Sequence, residues 1–311
     1  MVKPRAIYVC TECGAQQPRW LGRCPGCGAW QSLVEESGAA EQPRRGDLLQ
    51  LDPQSGVAKP IPLAEVDPSA APRIATGIVE LDRVLGGGLV PGSVVLLGGE
   101  PGIGKSTLCL QLATQLQRGS GRVLYVTGEE SLEQVRLRAE RLGEIPDSLL
   151  ALSETRVERL AEAWREVSPS LVLIDSIQTM STERVESAPG SVAQVRESAA
   201  LLAATAKAHG TVVVLVGHLT KEGAIAGPRV LEHLVDAVLN FEGDRGHHFR
   251  LLRASKNRFG STQEVGVFSM GEAGLSAVEN PSELFLAERH PGAPGSVIVP
   301  IIEGSRPMLL E

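Results

Sequence analysis

Gly99 to Thr107 reads GEPGIGKST, a complete G-x-x-x-x-G-K-[ST] pattern, and its flanks decide the fold. Val94 to Leu97 form a short continuous apolar run closed by Gly98 and Gly99, and Leu108, Leu112 and Leu116 follow at helical spacing. Strand, glycine loop and helix thus stand in the order that a phosphate-binding loop requires. Glycines at 99, 102 and 104 let backbone N–H groups turn toward one point, where the helix N-terminus adds its positive end. The loop residues Gly99, Glu100, Pro101, Gly102, Ile103, Gly104, Lys105, Ser106 and Thr107 would wrap the phosphates of ATP. Lys105 would reach the β- and γ-phosphates, and the Ser106 hydroxyl would ligate Mg²⁺.

Further strand-like runs lie at Val123 to Thr127, Leu171 to Asp175 and Val212 to Val216. Helical stretches separate them, near Lys105 to Gln117, Leu132 to Leu142, Val157 to Val167 and Val192 to His209. This alternation predicts an α/β fold, a doubly wound sheet that binds ligands at the carboxyl ends of its strands. From Ala237 the pattern changes to strands joined by short turns, one of them at Gly243 to Gly246, so antiparallel strands should extend the sheet. The run LVLID delivers Asp175 to a strand end, where it would hold Mg²⁺ opposite Ser106. A third carboxylate follows the strand at Val123 to Thr127, within TGEES. Either Glu129 or Glu130 could polarise the attacking water, and Glu129 is the favoured base.

Cys10, Cys13, Cys24 and Cys27 give C-x2-C-x10-C-x2-C, and this spacing predicts a four-thiolate Zn²⁺ site of structural type rather than two disulfides. The metal would fold a segment too short to bury a core of its own, with Trp20 and Trp30 as its expected packing residues. Cys109, on the helix after the phosphate loop, reads as a small core residue. Between about Glu35 and Pro72 the chain becomes rich in proline, alanine and glutamine and reads as a linker.

The 311 residues are 42% hydrophobic and 22% charged with a net charge of −7, which suits one large α/β domain or one domain with small appendages and excludes coating of nucleic acid by bulk basicity. The N-terminus MVKPRAIYVC lacks an apolar signal region and no apolar run reaches membrane length, so a cytoplasmic protein without membrane contact is expected. His247 and His248 follow a turn, without the further ligands that a metal site needs.

In chain order stand WLGRCPGCGAW, RIATGIVELDRVLGGGLVPGS, GEPGIGKST, TGEES, LVLIDS, GHLTKEG and KNRFG. This series resembles the bacterial RadA (Sms) family of RecA-like ATPases of recombinational repair, and KNRFG is its most discriminating element. The resemblance implies a RecA-like P-loop ATPase core with an N-terminal four-cysteine zinc ribbon. It further implies a ring-forming, hexameric motor that assembles on single-stranded or branched DNA and promotes branch migration with the RecA recombinase. By similarity, Lys256 and Arg258 of KNRFG would meet a neighbouring subunit's nucleotide, and His218 of GHLTKEG would sense the γ-phosphate.

The stretches Thr220 to Val230 and Thr179 to Ser191 are candidate DNA loops. Neither contains an aromatic residue, so backbone contacts rather than base stacking are expected of them. The domains would run 1–34 (zinc ribbon), 35–72 (linker) and 73–280 (ATPase). Residues 281–311 would open the Lon-like domain of that family, which the chain would leave truncated. Two competing readings are a KaiC-like regulatory ATPase and a zinc-ribbon interaction protein that uses ATP as a switch.

Overall fold

The computed structural model describes residues 7–10, 15–26, 28–36, 62–65, 72–116, 121–217, 228–243, 249–286 and 295–311. At the N-terminus, β1 (Ile7–Cys10) pairs antiparallel with β2 (Gln16–Gln17) and β3 (Leu33–Glu36). The core of this small unit is Cys10, Cys24 and Leu33, with Tyr8, Ala15 and Leu21 packed around it.

The lead-in to the large domain forms α1 (Val79–Leu85), which ends at Gly86 in the left-handed conformation that favours glycine. Four strands follow whose residues are all buried: β4 (Val94–Gly99), β5 (Val123–Thr127), β7 (Leu171–Asp175) and β8 (Val212–Val216). Their Val- and Leu-rich runs lack polar alternation because helices cover both faces of the sheet. Val95, Leu97, Leu171, Leu173 and Val214 pack against α1, α2 (Lys105–Leu116) and α3 (Leu132–Leu142). Val94, Leu96, Val172, Ile174 and Leu215 pack against α4 (Val157–Val167), α5 (Val192–His209) and the end of α6 (Pro228–Leu234). Each fully buried leucine contributes about 2 kcal/mol on transfer from water.

The half-exposed strand β6 (Leu149–Ser153) lies at one edge. Beyond β9 (Ala237–Glu242), which runs parallel to β4, the strands β10 (Phe249–Asn257), β11 (Val265–Gly271) and β12 (Gly274–Ala277) alternate in direction. Among the described residues the sheet order is β12-β11-β10-β9-β4-β8-β7-β5-β6. The doubly wound sheet with an antiparallel extension is thus present as its sequence pattern predicts. Local chemistry sets the helix ends. Ser131 and Gln134 form a reciprocal capping box at the start of α3, and the Ser191 hydroxyl accepts from the Gln194 N–H at the start of α5.

After α7 (Pro281–Leu286), the hairpin of β13 (Val299–Glu303) and β14 (Arg306–Leu310) returns to the domain. Arg306 reaches Glu80 of α1 at 2.6 Å, with both side chains buried, and also donates to the Val278 and Glu279 carbonyls. The second Glu80 contact is the Val267 N–H of β11 at 2.8 Å, so this buried charge is paired and hydrogen-bonded. Among the described residues no helix is long and apolar enough to cross a membrane.

Candidate nucleotide site

The phosphate loop leaves the carboxyl end of β4 and runs directly into α2. Gly102 and Gly104 have φ of +79° and +116°, a backbone that L side chains rarely adopt. A Cβ at Gly104 would sit 2.5 Å from the Met270 methyl, and one at Gly99 would sit 2.6 Å from the Phe241 carbonyl, so the loop is also held by close packing. Lys105 is 4% exposed, and its Nζ donates to the Gly99 and Glu100 carbonyls at 2.8 and 2.9 Å. Burial lowers its pKa, while the charges of Asp175 and Glu129 pull it partway back. Ser106 and Thr107 follow, half-buried, in the first turn of α2, and Glu100 and Pro101 form the exposed outer bend.

Asp175 ends β7 in register with Thr127 of β5, which brings LVLID and TGEES side by side. The Tyr125 hydroxyl donates to Asp175 Oδ2 at 2.6 Å, and burial together with the Asp175 charge raises the Tyr125 pKa well above its ordinary value. Tyr125 therefore remains a proton donor that fixes the carboxylate. The two glutamates of TGEES have different surroundings. Glu130 binds the Arg138 guanidinium of α3 through both oxygens, at 2.8 and 2.6 Å. Glu129 instead accepts from the Ser176 hydroxyl at 2.5 Å and lies within the electrostatic reach of Lys105. Gly128 lets this turn pass Thr179, whose hydroxyl would lie 2.1 Å from a Cβ. Burial raises the Cys109 thiol well above its usual range, which leaves it inert in the core.

KNRFG lies at the other end of the sheet. Asn257 pairs with Ala237 at the start of β9, and Ala237 pairs with Val95 near the amino end of β4. The phosphate loop begins at the opposite end of that strand, about 13 Å along it from Val95 at 3.3 Å per residue. Lys256 Nζ donates to the Glu232 and Val235 carbonyls at 2.5 and 2.8 Å; burial and the nearby Arg258 charge lower its pKa. Arg258 Nη1 reaches Asp236 Oδ1 at 3.0 Å, and Asp236 Oδ2 accepts from the Val94 N–H. The Arg258 side chain is 51% exposed. Arg73 braces the turn by donating to the Phe259 and Leu85 carbonyls at 2.5 and 3.1 Å, and the Asn257 amide donates to the Val84 carbonyl.

Of the two candidate DNA loops, Thr179 to Ser191 is tied down by Gln194. Its amide nitrogen donates to the carbonyls of Thr182, Val185 and Ser187, and its oxygen accepts from the Thr182 N–H. His218 and most of Thr220 to Val230 lie outside the described residues, as do His247 and His248.

In the N-terminal unit, Cys10 and Cys24 are buried at 0% and 1% exposure and begin equivalent turns. The Cys10 N–H bonds the Ala15 carbonyl, and the Cys24 N–H bonds the Ala29 carbonyl. The Gly26 N–H points at Cys24 Sγ at 3.4 Å, the backbone arrangement of a thiolate knuckle. Cys13 and Cys27 lie outside the described residues, and Cys10 and Cys24 share the one small core of this unit. Trp20 and Trp30 correct the sequence reading. They are 54% and 73% exposed and leave the core to Leu33 and the cysteines.

Sequence reasoning missed Ser176, Tyr125, Arg138, Arg73 and Asp236. Ser176 adjoins a marked aspartate, and Tyr125 is the one aromatic residue in VLYVT; the others become visible only through the pairings the fold makes.

Fold and site together define a P-loop ATPase of the RecA-like class. Residues 62–224 match the family described as AAA domain, and residues 8–35 match the rubredoxin metal binding domain. Proteins named DNA repair protein RadA from Halalkalibacterium halodurans and Bacillus subtilis are each 52% identical to the chain over its whole length, which spans 68% of either relative. That of Pseudomonas aeruginosa is 53% identical with the same coverage. The chain belongs to the RadA family.

Proposed function

We propose that the chain is a DNA-dependent ATPase motor of recombinational repair that works on single-stranded or branched DNA with the RecA recombinase. Its relatives' name supports the repair role. Branch migration and a hexameric ring rest on the resemblance of the motifs. In this reading Lys105 holds the γ-phosphate, and Ser106 and Asp175 supply the hard oxygen donors that suit Mg²⁺. Bound there, the ion would offset charge on the β- and γ-phosphate oxygens.

Glu129 is the base that orients water. Support comes from the contrast with Glu130, whose two oxygens are both committed to Arg138. Cys10, Cys13, Cys24 and Cys27 would enclose Zn²⁺ in a closed tetrahedral shell, which fits the buried, knuckle-forming Cys10 and Cys24. His218 follows β8 by two residues and would sense the γ-phosphate.

The observation that carries the motor reading is the separation of the phosphate loop and KNRFG to opposite ends of one strand, β4. A cation at the amino end is out of reach of its own subunit's phosphates, yet it is available to a neighbour stacked head to tail. Lys256 and Arg258 then stabilise charge developing at the next subunit's γ-phosphate. Measuring ATP hydrolysis with and without single-stranded DNA tests the reading. Turnover that DNA leaves unchanged, at concentrations where DNA is demonstrably bound, would sink the motor in favour of an ATP-dependent switch.

A further inference from the structure

Two tryptophans in a unit this small ought to be its core, yet the core is built without them. Trp20 and Trp30 are 54% and 73% exposed. They are also brought together: a Cβ at Gly22 would lie 3.8 Å from Trp20 Cη2 and 3.9 Å from Trp30 Cζ3, so both ring edges converge on one glycine. Arg23 completes the group. Its guanidinium carbon lies 5.9 Å from the centre of the Trp30 ring, and its Nε donates to the Gly28 carbonyl at 2.9 Å, which fixes the cation beside the cysteine knuckle. Arg19 stands exposed next to Trp20. Residues 18–31 contain no acid, although the chain as a whole carries a charge of −7.

Paired exposed indoles hydrated on open faces are costly unless something covers them. A purely apolar protein socket would explain the rings but not the two arginines, Arg19 and Arg23, that stand beside them. A single-stranded nucleic acid accounts for both, because bases stack on indole faces while phosphates pair with arginine. We propose that Trp20 and Trp30, with Arg19 and Arg23, form a base-stacking site for single-stranded nucleic acid on the N-terminal unit. The site deepens the DNA-dependent reading and rests on it. It puts base contact on this unit, whereas the loops of the ATPase domain would supply contacts to the backbone.

The full chain supplies its own reporter. Of its three tryptophans, Trp164 is 1% exposed, so fluorescence quenching by a ligand reports Trp20 and Trp30. Titration with a short oligothymidylate should quench saturably, and an abasic oligonucleotide of equal length should bind without quenching. The Trp20→Ala, Trp30→Ala double variant should bind oligothymidylate about tenfold more weakly and the abasic strand as before. Arg23→Ala should weaken both. Trp30→Phe, which keeps an aromatic face, should retain most of the affinity and guards against loss of fold.

Equal quenching by the abasic strand, or wild-type affinity of the double variant for oligothymidylate, would overturn the proposal and leave the DNA-dependent ATPase intact. Unchanged DNA affinity with altered sedimentation of the double variant would assign the pair to a contact between subunits instead, and would overturn it too. Failure of any strand to bind the wild-type chain would sink the DNA-dependent reading itself.

Discussion

The carboxyl and amino ends of the parallel strands are built on opposite terms. At the carboxyl end, Lys105 is buried, the loop around it is locked by glycine packing, and Asp175 is pinned by Tyr125. At the amino end, Lys256 caps carbonyls at the C-terminal end of α6, and Arg258 leans on Asp236 with about half of its side chain in solvent. The first end holds its groups in place before any ligand arrives. The second spends its cations on its own chain but leaves one of them able to turn outward. A buried lysine facing loop carbonyls would exchange those partners for phosphate oxygens at little reorganisation cost. An exposed arginine paired with a carboxylate would be free to turn to a stronger anion. The proposed division of the catalytic groups between two subunits would follow this contrast.

The largest effect should come from the end that acts within one chain. Lys105→Ala removes the one side-chain cation of the described loop, which the proposal turns toward phosphate, so steady-state phosphate release should fall by about 10³-fold or more and nucleotide binding should weaken. Turnover close to wild type would break the comparison at its firmest point. Next is Glu129→Gln, for which hydrolysis should fall by about 10²-fold while a fluorescent ATP analogue still binds. Glu130→Gln should cost less than about tenfold, because it loosens a partly exposed ion pair to Arg138 worth at most about 1 kcal/mol. The reverse order of those two variants would exchange the roles assigned to neighbouring glutamates.

Most of the carboxyl end is legible in the chain because phosphate binding and Mg²⁺ ligation both depend on residues at fixed spacing. GEPGIGKST and LVLID mark their own positions and their own strands, and the helices at 132–142, 157–167 and 192–209 follow from apolar periodicity. The half-exposed β6 and the short α1 escape notice, since neither carries a long enough pattern. Nor does spacing reveal that Glu130 is consumed by Arg138, which the turn before α3 brings back onto it, or that Arg258 meets Asp236 from another element of the fold. The tryptophans mislead for a different reason. Hydrophobicity predicts burial, but in a unit whose cysteines and one leucine already fill the centre there is no interior left for two indoles.

At the amino end, Arg258→Ala should leave nucleotide binding near wild type and lower DNA-stimulated hydrolysis by about tenfold to a hundredfold, with Lys256→Ala showing a similar pattern. Mixing either variant with Lys105→Ala protein is the sharper measurement. In the proposed ring, a mixed assembly would contain interfaces at which an intact phosphate loop meets an intact KNRFG, and part of the activity should return. No recovery at any ratio, with mixed assembly demonstrated, would put both ends back into one subunit and dissolve the contrast.

The smallest effect is a proton linkage that separates the two lowered lysines. Burial holds the Lys105 pKa below the ordinary lysine range in the nucleotide-free chain, and bound phosphates would add negative charge that raises it again. The nucleotide complex therefore holds the proton more tightly than the free protein does. Affinity should be full below the lowered free pKa and should decline as pH rises through it, by at most about tenfold per pH unit for one linked proton. Lys105→Ala should flatten that slope. Lys256 is also lowered, by burial and by Arg258, but it lies at the far end of β4 from its own subunit's phosphates. Under dilution to single subunits, Lys256→Ala should keep the alkaline decline in nucleotide affinity that Lys105→Ala loses. Calorimetric titrations across alkaline pH in two buffers of different ionisation heat would measure the proton uptake directly. An equal uptake in all three proteins would show that neither lysine carries the linkage and that the ends of the sheet do not differ in this respect.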